Sequence, residues 1–317
     1  MSETKERLRF LDSLRGFTIF LMIPINAAME YNSIPFWFKH ASSSGVLPAD
    51  FIMPSFLFAL GISSCLSFQK RIKRDGILKT VWHLIYRNLI LFAAGSIGFF
   101  LVYKQKNWEI LQMLGLVGLI SIPFLFLPKH LRLISSFLII LFVEIFRKIF
   151  FQRYFNLWYS SGIGGPSGAI PLSSIVIGSS AFGEYIVQLD DKRKVSFSII
   201  CGLTLILIAN IINIFQKFNK HLLTSSYLLL TSGIAIIFLA IFIIIDLFVK
   251  KDIPILCSLG RNPLLCYIFG GILTLIARFI FGIQLSALYA WIVTLIVLII
   301  VCTLAVFLDK KKLWLKL

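Results

Sequence analysis

The sequence predicts an all-α, polytopic transmembrane bundle of about ten helices with both termini on the cytoplasmic side, and three features predict it. Of 317 residues, 58% are hydrophobic and 31 are phenylalanine, far more apolar side chain than a soluble domain of this length needs for its core. The apolar residues fall in uninterrupted runs of about 20, long enough to cross a hydrocarbon layer of about 30 Å as helices. Those runs do not alternate in polarity as membrane-barrel strands do, and lipid leaves helices as the way to satisfy the backbone.

The first span, Leu14 to Met29, follows the charged opening MSETKERLRF and is not followed by a cleavage-site pattern, so it is read as a retained helix and not a signal peptide. The second, Ala49 to Phe68, begins on Asp50 with Pro54 four residues on. Proline has no N–H, so the carbonyl of residue 50 loses its helical partner and the entrance is polar. Val81 to Tyr103 is the third. The fourth and fifth, Ile110 to Leu127 and Leu131 to Phe146, are separated only by PKH; the fifth is as short as the first and carries Glu144, so nine or eleven spans stay open. A connection rich in aromatic residues, Arg147 to Ser167, leads through SSGIGGPSG to the sixth span, Gly168 to Val187, which contains Glu184. Val195 to Phe215 and Leu223 to Val249 are the seventh and eighth; Asp246, at the inner end of the eighth, has Lys250 four residues on as a helical ion-pair partner. LGRNPLLCYIF introduces the ninth, Pro263 to Phe281, with Asn262 before Pro263 in the cap-then-proline pattern that starts a helix. The tenth is Ser286 to Leu308. With no internal repeat or soluble domain, residues 1–317 read as one membrane-embedded unit.

A net charge of +17 does not indicate nucleic acid here, because the basic residues are dispersed among short loops. Most fall on alternate loops, which assigns those loops to the cytoplasm, keeps the N-terminus inside and turns His40 to the outside of a cell (inner) membrane. Cys65, Cys201, Cys257, Cys266 and Cys302 lie in or beside spans without CxxC or Cys/His spacing, so neither a metal site nor a disulfide framework is indicated.

Three constellations carry the ionisable and polar chemistry. FKHASSSGVLPADF, between the first two spans, holds His40, a residue type suited to take a proton from a substrate or carry an acyl group; the plainer reading is a solvated loop histidine. Around it lie Asn26, Glu30 and Asp50; if Asp50 accepts the Nδ1 proton of His40 it fixes the tautomer a general base needs, whereas its plainer role is to stabilise a helix N-terminus. At the inner surface Asp12 and Arg15 share a helical face and can pair. Arg15, with Arg7, Arg9 and the loop residues Lys70, Arg71, Lys73 and Arg74, suits the phosphates of an anionic donor, or else is topogenic charge meeting anionic lipid. Asn262 and Tyr267 make the third group, a helix cap or the lining of a polar pathway.

LRFLDSLRGFTIFLMIPIN and FWFKHASSSGVLPADFIMPSFLFALGIS resemble the heparan-alpha-glucosaminide N-acetyltransferase family and its short prokaryotic relatives, integral membrane acyltransferases. FNKHLLTSSYLLLTSGIAIIFLAI, LGRNPLLCYI and FLDKKKLWLKL resemble further family segments, so the likeness covers both ends and about half the chain. It implies a co-substrate, acetyl-CoA, held from the cytosol by Arg15, Arg71, Arg74 and Asn262, and an amino sugar or glycan acceptor outside. It puts His40 at the active-site histidine, acting as general base or acyl carrier, with Asn26 and Asp50 at the matching polar positions. Ser43 and Ser44 replace the family's Trp-Asn, the Asn26 to His40 spacing is longer, and the large extracytoplasmic N-terminal region of the animal enzymes is not expected. O-acyl transfer to an envelope polysaccharide, or transport without covalent chemistry, remain alternatives, and a homodimer is one assembly left open.

Overall fold

The computed structural model describes residues 8–41, 44–103, 108–159 and 164–315. Every regular element among them is helical: α1 (Arg9–Met29), α2 (Ile52–Asp75), α3 (Ile77–Tyr103), α4 (Ile110–Ser121), α5 (Lys129–Tyr159), α6 (Ala169–Val187), α7 (Asp191–Phe215), α8 (Ser225–Val249), α9 (Pro254–Arg261), α10 (Pro263–Phe281) and α11 (Ala287–Lys310). Seven helical stretches among the described residues are long and apolar enough to cross a membrane: Arg9–Met29, Pro48–Asp75, Pro166–Val187, Asp191–Phe215, Ser225–Val249, Pro263–Phe281 and Ala287–Lys310. The chain is thus an all-α, multi-span membrane bundle.

Two differences from the sequence reading have physical causes. The expected connection from Arg147 is instead helix, because α5 continues to Tyr159. Charge interrupts the apolar run there but not the hydrogen-bond ladder: Arg147 is buried, its Nη2 donates to the carbonyl of Leu223 at 3.2 Å, and its Nη1 lies 3.6 Å from Glu144. The second difference is α9, a helix of 8 residues that the search for membrane-length runs passes over.

The residues group into two compact units, Met1–His40 with Leu47–Ile52 and Phe238–Leu317, and Ala41–Val46 with Met53–Ile237. In the first, α1 packs on α9, α10 and α11. The α1–α9 crossing has no room for side chains: a Cβ on Gly16 would stand 1.8 Å from the carbonyl oxygen of Leu256, and one on Gly260 1.9 Å from that of Asp12. Such close backbone approach is the usual role of small residues between membrane helices. Further along, Ala28, Tyr31 and Ile34 form a core with Ala277, Ala290 and Val293.

In the second unit α3 packs on α4, α5 on α6, and α4 on α6. Cys65, Phe68 and Ile72 of α2 interleave with Val81, Leu84 and Ile85 of α3. Gly76, at φ +80°, supplies the left-handed residue that lets the chain reverse between those two helices. Buried Arg132 of α5 pairs with Glu184 of α6 and also reaches Cys65 Sγ at 2.9 Å, giving the intramembrane Glu184 its countercharge.

Candidate active site

The segment after α1 descends through Tyr31 and Ile34, both buried, into a short 3-10 turn, Phe36–Phe38. Phe38 meets Trp291 edge-on at 4.7 Å, which pins the turn, while Phe36 and Trp37 point outward. Two residues later His40 Nδ1 lies 2.7 Å from Asp50 Oδ1. Asp50 sits in a second 3-10 turn, Pro48–Phe51, where its Oδ2 accepts the backbone N–H of Leu47 at 2.9 Å. That turn is held in turn by apolar packing of Ala49 and Ile52 against Met22 and Ile25 of α1, with Phe38 and Tyr267 alongside.

The pair is asymmetric. Asp50 is 1% exposed, whereas the His40 side chain keeps 31% of its surface accessible. An ionised carboxylate only accepts hydrogen bonds, so with Asp50 ionised Nδ1–H is the donor, and in the neutral ring the lone pair resides on Nε2. The arrangement fixes ring orientation and tautomer together and leaves an imidazole able to take a proton or attack an electrophile.

Asn26 lies on α1 one turn beyond Met22, on the stripe that packs against the Asp50 turn, and is half-buried. Its carboxamide has no hydrogen-bond partner among the described residues. Pro24 inside α1 removes one backbone donor just before it. Glu30 accepts from Arg278 Nη1 at 2.6 Å, which ties the end of α1 to α10.

The opposite end of α1 carries a denser set of charges. Asp12, 1% exposed, pairs with Arg15 as expected and also faces Arg261 Nε at 3.8 Å. Arg261 further pairs with Asp252 and, at 2.6 Å, with Asp309, whose carboxylate also accepts from Ser258 Oγ at 3.0 Å and Trp314 Nε1 at 2.9 Å. Burial opposes the charge on Arg261, but the bonds from Asp252 and Asp309 outweigh it and raise its pKa. Asp246 is paired not with Lys250 but with Arg9, at 2.8 Å, because Arg9 Nη1 also takes the carbonyl of Lys250 at 2.9 Å.

Asn262 precedes α10 but makes no side-chain cap. Instead Nδ2 donates to the carbonyl of Leu313 at 3.0 Å and Oδ1 accepts the N–H of Leu315 at 2.9 Å, so its whole carboxamide holds the segment after α11. Of the basic loop residues, Arg74 spends both forks on neighbouring Asp75 at 2.8 Å each, while Arg71 reaches only Ser67 Oγ at 3.4 Å. Arg7 and Ser43 lie outside the described residues.

The structure therefore brings His40 and Asp50 into contact, places Asn26 on the helix face nearest their turn, and puts Arg15 and Asn262 at the other end of the same unit. Sequence reasoning missed Arg261, Asp252 and Asp309, although Arg261 stands in LGRNP and Asp309 in FLDKKKLW, both segments singled out for other residues. It also missed Arg132, whose place just inside an apolar run was the available signal.

A bundle of membrane-spanning helices with a half-open imidazole seated on a buried carboxylate defines a polytopic membrane protein with a candidate acid–base pair. Comparison with known proteins narrows this: residues 7–165 match the family described as heparan-alpha-glucosaminide N-acetyltransferase, catalytic, and the chain belongs to that family. Over 93 residues it is 34% identical to heparan-alpha-glucosaminide N-acetyltransferase of Mus musculus, and over 99 residues 32% identical to that of Homo sapiens. These stretches cover 29% and 31% of this chain but 14% of each relative.

Proposed function

We propose that the chain is an acetyltransferase that takes acetyl groups from acetyl-CoA on the cytoplasmic side of a cell membrane and delivers them to the amino group of an amino sugar or glycan on the outer side. The whole chain acts as one catalytic unit, with about ten spans and both termini in the cytoplasm. The observation that carries this reading is the His40–Asp50 contact of 2.7 Å, with the carboxylate fixed from behind by Leu47 N–H. Family membership supplies the reaction class.

Acetyl-CoA brings the acetyl group as a thioester, and the remaining work falls to side chains. The phosphates suit guanidinium groups, which bind phosphate oxygens in pairs, and Arg15, Arg71 and Arg74 are the candidates. At the outer end His40 Nε2 takes the proton of the attacking amine as the new N–C bond forms and the thiolate leaves, or first accepts the acetyl group itself. Asp50 holds the ring through Nδ1–H in either case. The free carboxamide of Asn26 donates to the oxyanion, a contact whose loss costs about two to three orders of magnitude in rate.

The test uses proteoliposomes with labelled acetyl-CoA on one face and an amino-sugar acceptor on the other. Wild type should release CoA on the donor side and accumulate acetylated product on the acceptor side, and His40→Ala should lose at least about 10³-fold in rate. Equal rates for the two proteins would remove His40 from the chemistry. Movement of an acceptor without CoA release would indicate transport, and base-labile product would indicate O-acylation.

A further inference from the structure

A separate cluster of cations lies in the second unit, where the facing acid, Asp75, has its ion pair with Arg74. On α2, Ser64, Ser67 and Arg71 recur at helical spacing; on α3, His83 and Arg87 stand one turn apart. The two helices are held together by the Cys65, Phe68, Leu84 core, and across them Arg87 Nη2 comes to 3.5 Å from Ser64 Oγ. Arg71 and Arg87 both add to the positive field at His83, and Asp75 partly opposes them.

These are thin contacts for groups that offer five N–H donors each. The Nε of Arg87 is buried and has no hydrogen-bond partner among the described residues. Neither Arg71 nor Arg87 has a carboxylate within ion-pair distance among the described residues, and the nearest acid in sequence, Asp75, is committed to Arg74. An arginine that merely extends to reach water does not bury its Nε. On the neighbouring face of α3, Trp82 and Tyr86 are exposed, the residue types that settle at the headgroup level of a bilayer, so the cluster lies where the membrane meets water.

We propose that Arg71, His83 and Arg87 form a phosphate-binding seam between α2 and α3. Its ligand is a phosphate ester or diphosphate, whose oxygens match the paired donors of the two guanidinium groups. Two sources supply that chemistry: the nucleotide end of the acyl donor, which rests on the function proposed above, and the headgroup of an anionic phospholipid. In either case Arg87, which the sequence reading did not single out, is a phosphate ligand.

Full-length protein in phosphatidylcholine nanodiscs, titrated with CoA, tests the first source. Arg87→Gln should weaken CoA binding about tenfold to a hundredfold and Arg87→Lys by less, whereas Arg193→Gln, at an exposed arginine of α7, should leave it unchanged. Native mass spectrometry from mixed phosphatidylcholine and phosphatidylglycerol tests the second: wild type, and not Arg87→Gln, should retain phosphatidylglycerol. If Arg87→Gln does not fold, Arg71→Gln carries the same comparisons. Unchanged CoA affinity together with unchanged lipid retention overturns the seam. Wild type that binds no CoA yet loses phosphatidylglycerol on Arg87→Gln would overturn the acetyltransferase reading and leave the seam standing.

Discussion

The two ends of α1 use charge in opposite ways. About 21 Å of helix separates Asp12 from Asn26, taking 1.5 Å per residue. At the Asp12 end, Arg15 pairs with Asp12 and Arg261 is cross-linked to Asp252 and Asp309, so most of the charge is balanced within the cluster. At the Asn26 end a single imidazole leans on a single buried carboxylate and keeps its other nitrogen uncommitted. The contrast teaches that charge density alone does not mark a reactive site. A group held on one side and open on the other does.

Three substitutions sharpen or break that contrast. The largest effect is expected from Asp50→Asn, which keeps the shape but no longer selects the Nδ1–H tautomer; kcat should fall about 10³-fold with little change in KM for acetyl-CoA. Steady-state kinetics decide it, and a rate near wild type would mean that Asp50 only shapes its turn. Next, Arg261→Ala should lower unfolding free energy by about 2 kcal/mol, because it takes the ion-pair partner from Asp309 and one of two cations from buried Asp12. Denaturant unfolding in detergent measures the loss, and the protein that remains folded should keep its kcat; a selective drop in kcat would blur the division between the two ends. The smallest effect belongs to Asn262→Ala, which frees the backbone of Leu313 and Leu315 at a cost of about 1 kcal/mol. Hydrogen exchange should accelerate at Leu315 and not near His40.

The helices were legible because lipid imposes one length and one polarity on whatever crosses it. Their ends were less so: α5 outruns its apolar stretch since Arg147 finds Glu144 one turn back and a carbonyl 76 residues away. The His40–Asp50 contact could be anticipated because the partners stand ten residues apart in one polar segment. Arg261 and Asp309 are 48 residues apart, with a whole membrane helix between them, and no local pattern announces their meeting. Asn262 misled for the same reason: its position is that of a cap, but its partners lie 51 and 53 residues on.

Positions 16 and 260 turn the meeting of α1 and α9 into a constraint on descent. Even alanine, the mildest addition, would drive an atom into a main-chain carbonyl at either place, whereas Gly98 and Gly271 look onto open space. Neutral drift is therefore closed at the first two glycines and free at the last two, and the history of this chain can wander along its flanks but not through that joint.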